Sequence, residues 1–170
     1  MATIYFKQMK SLIYTFLVLS VFVAGSCSND ETCRKDRFIA TKAGIYKVTY
    51  DALTKIRTTT ALNVDTITVQ GIGVDSIEDY TKQSSIVFPL KKSNKSNDES
   101  RFLVKFNKMV DTVTILHTNY NQYLSLECGC MVTHSIDTVI TTNHFIDSVR
   151  ISVHDVNTST SAKENIKIYN

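Results

Sequence analysis

The side chains best suited to chemistry in this 170-residue chain are its four cysteines, and the first stands out by what precedes it. Cys27 directly follows the small residues Ala24, Gly25 and Ser26. Before them run an apolar stretch from Leu12 to Ala24 and the basic residues Lys7 and Lys10. A basic flank, a short apolar core and small residues before a cut describe a secretory signal. A cysteine at the cut makes it look like a lipoprotein signal, in which the thiol is acylated and the mature chain begins at Cys27. The competing reading is a transmembrane helix. Residues 11–24 fall short of the roughly 20 apolar residues a span needs. Ser28, Asn29, Asp30 and Glu31 follow, where a stop-transfer pattern would be basic. Met9 is an alternative start to Met1, since Met9-Lys10 opens a signal of ordinary length.

The other cysteines are Cys33, Cys128 and Cys130. Outside the reducing cytosol a disulfide is permitted. Bridging Cys128 to Cys130 would strain the intervening Gly129, so a long-range bridge from Cys33 is easier. The favoured pair is Cys33–Cys128, with Cys33–Cys130 the alternative. Such a bridge closes a loop of about 95 residues, worth up to ~4–5 kcal/mol in the chain-entropy description. Cys130 would then be a small buried residue or a free thiol. A sharper reading places Cys128, Cys130 and His134 on one face of an extended strand, a thiolate and imidazole set suited to zinc or copper. No CxxC pair or HExxH supplies the remaining ligands, so no metal is expected. His117, His134, His144 and His154 read as solvated or satisfied side chains.

No GxSxG nucleophile elbow occurs. Gly71-Ile72-Gly73 lacks the third glycine of a phosphate loop and reads as a turn between strands. A pattern of apolar residue, Asp, Thr or Ser, apolar residue recurs around Asp65, Asp75, Asp111, Asp137 and Asp147. Its spacing is irregular, which excludes a solenoid. Calcium needs six to eight oxygens around a glycine turn, so these carboxylates are expected to bond local backbone amides at strand entries. No catalytic residue and no cofactor are expected, and the chain does not read as an enzyme.

The elements that carry these residues read as strands. Cleavage before Cys27 leaves residues 27–170, one domain by size. Removing Lys7 and Lys10 from the 19 basic residues leaves 17 against 16 acidic ones, so no basic field exists to hold nucleic acid. Membrane affinity would come from the lipid, where two or more acyl chains anchor stably. The mature part is rich in Thr, Val and Ile, which favours strands. Expected strands are 45–50, 65–70, 85–90, 101–106, 112–118, 123–127, 131–140, 148–154 and 166–169. Phe102, Val104 and Phe106 share one parity in one of them, as half-buried antiparallel strands require. Asp51–Arg57 could hold a helical turn, Asn119–Gln122 reads as a hairpin connection, and Lys91–Ser100 as a mobile polar loop. The expected fold is all-β, an antiparallel β-sandwich of immunoglobulin-like kind after an N-terminal signal peptide. Residues 1–26 are the signal, 27–37 a lipidated tether and 38–170 a single domain.

Several short motifs then line up: a cysteine a few residues after the lipobox cysteine (Cys33), Val74-Asp75-Ser76-Ile77, Val87-Phe88-Pro89-Leu90, Asp111-Thr112-Val113-Thr114, Tyr123-Leu124-Ser125-Leu126-Glu127-Cys128-Gly129, Thr142-Asn143 with Ile146-Asp147-Ser148-Val149, and a terminal Asn165-Ile166-Lys167-Ile168-Tyr169. In these the chain resembles a family of small Bacteroidales lipoproteins known as a domain of unknown function. The resemblance covers nearly the whole mature chain. It implies an outer-membrane lipoprotein with a β-rich domain, and no activity to carry over. It also implies the Cys33–Cys128 pairing, because the cysteine of Cys-Gly recurs in the pattern whereas Cys130 stands where an apolar residue is usual. Asp30 and Glu31 loosely resemble a surface-export signal of those bacteria. Three functions follow as expectations. The first is a non-enzymatic binding or scaffolding domain at the envelope. The second is a glycan- or protein-binding accessory that uses Tyr120 and Tyr123 or the Lys91–Ser100 loop. The third is a metal-handling or redox protein built on Cys130 and His134.

The anchor is the most direct of these to test. Cys27→Ala should abolish acylation and leave an uncleaved or soluble species, read by intact mass and membrane fractionation. An unmodified Cys27 in the wild-type protein would sink the lipoprotein reading.

Overall fold

A computed structural model describes residues 39–75, 77–126 and 129–170. Cys27, Cys33 and Cys128, with the signal, tether and disulfide assigned to them, lie outside the described residues. Those described belong to one unit spanning Asp36–Asn170. They are all-β, with no helix among them. The strands are β1 (Thr41–Tyr50), β2 (Arg57–Ala61), β3 (Val64–Gly71), β4 (Ile77–Gln83), β5 (Ser85–Phe88), β6 (Asn97–Phe106), β7 (Met109–Ser125), β8 (Gly129–Thr141), β9 (Ser148–Ile151), β10 (Asp155–Val156) and β11 (Ile166–Tyr169).

Two sheets form. One runs β2-β1-β11-β9, with β5 also paired to β1, and the other β10-β8-β7-β6-β3-β4. All pairings are antiparallel except β1 with β11, where Ala43 faces Ile166 and Ile45 faces Ile168. One apolar core joins the two sheets. Ala43, Ile45, Ile86, Phe88, Ile166 and Ile168 come from the first, and Ile67, Val69, Phe102, Val104, Phe106, Val113, Ile115 and Ile136 from the second. The alternation in 101–106 thus reports burial faithfully, since Arg101 and Lys105 are exposed between buried neighbours. A Cβ at Gly44 would meet the Glu164 carboxylate at 2.6 Å, so a larger residue there would have to displace that side chain. That carboxylate accepts a hydrogen bond from the Tyr46 hydroxyl at 2.5 Å.

Four expectations change. The helical turn at 51–57 is instead a hairpin turn leading into β2, whose five residues are all exposed. β4 was not visible in the pattern because only Tyr80 in it is even half-buried. An edge strand with two polar sides carries no alternation. Asn119–Gln122 is no turn but lies within β7, paired residue by residue with β8 as far as Gln122↔Met131. The two strands expected on either side of it are one. The Lys91–Ser100 loop is shorter than expected, since β6 begins at Asn97.

The crossing from one sheet to the other, between β8 and β9, is held by Asp111. Its side chain is buried, and Oδ1 accepts from His144 N at 2.7 Å and Thr142 Oγ1 at 2.9 Å. Oδ2 accepts from Phe145 N at 2.7 Å and Ile146 N at 3.0 Å. The expectation of carboxylates on backbone amides holds for Asp111, but across more than 30 residues rather than locally. Burial pushes its pKa up, and the amides of His144, Phe145 and Ile146 outweigh that, so the net shift is downward. Asp111→Asn removes the charge and one acceptor set, and should cost about 2–4 kcal/mol, read by chemical denaturation. A depressed carboxylate gives stability that is present above the unfolded value near 3.9 and is lost as pH falls through the folded one. The variant should therefore also lose part of the wild-type acid sensitivity below pH ~4.

Candidate functional site

A depression on the described surface forms where two strands part. β7 pairs with β6 along its whole length from Asn97. β3 pairs with β6 only over Phe102–Phe106. The last link on that side runs from Ile72 N to the Arg101 carbonyl at 2.8 Å. Beyond it, the edge of β6 at Glu99 has no strand partner among the described residues. A cleft of about 670 Å³ opens there, lined by Ile72, Val74, Pro89, Leu90, Phe102 and Ser100 among others. The volume lies within the range that holds a small molecule or a few side chains. Its apolar walls come from the β3–β4 turn and from the chain after β5. Gly73 shapes that turn at φ 86°, a left-handed conformation that suits glycine. Gly71-Ile72-Gly73 is thus a turn between strands, as its spacing suggests. At the rim Arg101 pairs with Glu99 at 2.6 Å, and Lys91 reaches 3.5 Å from the nearly buried Asp98 carboxylate, which does not line the cleft.

Beneath Ser100 lies a buried polar layer. Ser100 on β6 and His117 on β7 face inward, in the same rows as Phe102 and Ile115. His134 on β8 joins them, and the two rings meet edge to face with centroids 5.1 Å apart. Asn119 Oδ1 lies 3.1 Å from His117 Nδ1 and 2.7 Å from His134 Nδ1. Its Nδ2 donates to the Lys95 carbonyl at 3.0 Å and to Ser93 Oγ at 3.2 Å. An amide oxygen only accepts, so both imidazoles carry their proton on Nδ1. His117 Nε2 is then an acceptor, and Ser100 Oγ donates to it at 2.9 Å. Ser100 Oγ accepts in turn from Lys91 N at 2.9 Å.

Serine, histidine and asparagine in this order share the wiring of a nucleophilic triad, which no local sequence motif signals because the residues lie on strands rather than in an elbow. Three features argue against that chemistry. The Ser100 hydroxyl is buried and already accepts a backbone amide. Asn119 is neutral and offers no charge to an imidazolium. Burial lowers the pKa of His117, with the Asn119 hydrogen bond opposing, which disfavours the protonated form a general base must reach. Through Lys91, Ser93 and Lys95 the layer fastens the segment after Pro89 to the sheet, and that segment is one wall of the cleft.

The expected site residues fall apart in the structure. Tyr120 and Tyr123 are 55% and 59% exposed, on the outer part of the β7–β8 ribbon. Tyr120 is opposite Thr133 and Tyr123 opposite Cys130. Side chains alternate along a strand, so residues three apart point to opposite faces. The tyrosines therefore make no common platform. Tyr123 does not turn into the core. Cys130 is exposed and makes no disulfide among the described residues, so it is not a buried apolar residue. Four residues along the strand, about 13 Å, His134 is buried and turned to Asn119, so the two do not converge on one ion. No cluster of three metal-ligating side chains occurs among the described residues. His117 and His134 are satisfied side chains, as expected, though buried rather than solvated.

The profile of a family described as "Family of unknown function (DUF6452)" matches residues 66–170. No curated protein and no solved structure matches the chain.

The polar layer makes stability depend on pH. Burial first, then the neighbouring His117 and Lys92, push His134 down to about 4. Its unfolded value is near 6.5, so between those limits the unfolded chain binds more protons and stability falls as pH drops. Wild-type protein should lose melting temperature between pH ~6.5 and ~4. His134→Gln should flatten that slope while lowering stability at neutral pH, because Asn119 loses a donor. A melting temperature flat across the window would contradict the assignment.

Proposed function

The chain belongs to the family of unknown function DUF6452, and from that premise we propose that it is a lipid-anchored outer-membrane domain that binds a protein partner without catalysing a reaction. The anchor is Cys27, supported by the small residues and apolar run before it and by the resemblance to Bacteroidales lipoproteins. The fold is proposed to be an immunoglobulin-like sandwich after a cleaved signal peptide, supported by two antiparallel-rich sheets around one core. The scaffold is further held by a Cys33–Cys128 bridge in this reading.

One observation carries the binding assignment: the apolar cleft opens directly beside the uncovered edge of β6. An extended polypeptide fits both features. Its backbone can align along that strand edge, displacing Asp98 Oδ1 from Glu99 N (2.9 Å), while an alternate side chain enters the pocket beside it. The walls ask for an apolar side chain, and the paired charges at the rim leave no strong field to select a charged one. The absence of catalysis is supported by the neutral, already satisfied Ser100–His117–Asn119 layer. A glycan-binding role through Tyr120 and Tyr123 is the second reading. It is favoured by their exposure, but it lacks a face on which one sugar ring could stack against both.

The cleft gives the test. Peptides selected from an extended-peptide display library against the wild-type protein should share one apolar anchor residue. Val74→Trp fills the cleft from an exposed wall position and should weaken their binding at least about tenfold, about 1.4 kcal/mol. Tyr120→Ala should leave it unchanged. Selected peptides indifferent to Val74→Trp, or lost with Tyr120→Ala, would move the site to the β7–β8 ribbon.

A further inference from the structure

The first hairpin stands clear of the core. The last four residues of β1, Lys47 to Tyr50, are exposed, and so is every residue of β2. The register runs from Tyr46↔Ala61 to Tyr50↔Arg57, so the two strands form a ribbon with neither face covered. Asp51 N donates to the Ile56 carbonyl at 3.0 Å and closes the turn. Within the turn Leu53 N and Thr54 N donate to Asp51 Oδ1 at 2.9 and 3.4 Å. The apex is thus a fixed shape rather than a loose loop.

That shape holds apolar side chains out into solvent. Leu53 is 96% exposed, and Tyr50 and Ile56 flank it, each 59% exposed. Lys47 and Arg57 stand on the two strands below the turn and Lys55 within it, none with an ion-pair partner among the described residues. The one carboxylate in this segment, Asp51, is engaged by the turn's own amides. The tip is therefore an apolar point with an aromatic shoulder and a cationic collar.

We propose that this tip enters the surface of an anionic lipid bilayer, with Leu53, Ile56 and Tyr50 in the interfacial layer and Lys47, Lys55 and Arg57 against the phosphates. A convex apolar point suits a deformable surface, where a protein pocket would have to be cut to fit it. Tyrosine is favoured at the depth of the headgroups. Lysine and arginine stems lie along apolar material while their charges stay with the phosphates. The collar also disfavours a second copy of the same tip, since it would bring like charges together. This inference is independent of the cleft, which lies at a different hairpin turn.

The chain has no tryptophan, so Leu53→Trp places a single reporter at the apex of the full-length protein. Its emission should shift to the blue on mixed phosphatidylglycerol–phosphatidylcholine vesicles and be quenched by lipids brominated high on the acyl chain. Reversing both Lys55 and Arg57 to Glu should weaken this by about tenfold or more, and raised salt should weaken it as well. Ile56→Trp is a second reporter that should respond in the same way. Leu126→Trp, on an equally exposed leucine beyond β7, should stay solvent-like even if the chain is held to the vesicle by other means. The proposal is overturned if the apex reporters are quenched no more than Leu126→Trp. It is overturned equally if they respond as strongly to pure phosphatidylcholine. A blue shift that grows with protein concentration without vesicles would replace it by self-association. None of these outcomes alters peptide binding at the cleft.

Discussion

A single buried carboxylate decides whether the two sheets meet. Asp111 belongs to β7 in the larger sheet, yet all four of its strong donors come from residues 142–146, the segment that leaves β8 to begin the smaller one. Those bonds fix Phe145 on Phe106, with ring centroids 4.3 Å apart, and bring Ile146 into the core. From there Asp147 N reaches the Tyr169 carbonyl, and the Asn170 side chain donates to the Phe145 carbonyl. The crossover, the last strand and the core layer between them are thus tied to one charge. Ionised, it is an acceptor strong enough to repay its own burial. Protonated, it would leave backbone amides short of partners in a dry interior, where that is expensive.

The opposite solution appears beneath the cleft. There the inward row of β6 and β7 turns from apolar to polar at Ser100 and His117, and His134 closes the layer without any charge. The Ser100, His117, Asn119 and His134 side chains are neutral, and each proton has an assigned direction, from Lys91 through Ser100 and His117 to Asn119. A neutral network costs less to bury than an ion pair but depends wholly on geometry. It serves the cleft by making one of its walls rigid, and a pre-formed pocket gives up less entropy on binding than one that must be assembled.

The half-buried strands were legible in the sequence because their solvent face and core face alternate. Phe102, Val104 and Phe106 announce β6, and Val149 and Ile151 announce β9, through nothing but period two. Strands that sit at an edge or project from the sheet carry no such signal, which is why β2 (Arg-Thr-Thr-Thr-Ala) and β4 could not be read. Asn119–Gln122 misled for a related reason: polar turn-formers on the exposed strand of a ribbon, whose buried residues Met131 and Thr133 lie on the partner strand, look like a turn. The cleft was partly legible, since the Lys91–Ser100 segment supplies one wall. Ile72 and Val74, its other wall, read only as a turn. The Ser100–His117–Asn119–His134 layer was not legible, because its members join across three strands and no spacing along the chain records that meeting.

The pairing of β1 with β11 has a consequence for the order of events in folding. Lys42 and Asn165, bonded beside that pairing, lie 123 positions apart. The smaller sheet therefore has no middle until β11 arrives. β9 finds its partner only in β11, and β1 lacks its neighbour on one side. A ribosome or a translocation channel that still holds β11 holds the domain open. A contact of such long range closes late and slowly. β11 is in this sense the latch of the molecule: removing Ile166–Tyr169 would do more than shorten an edge, because it would leave the first strand and the ninth without the strand that joins them.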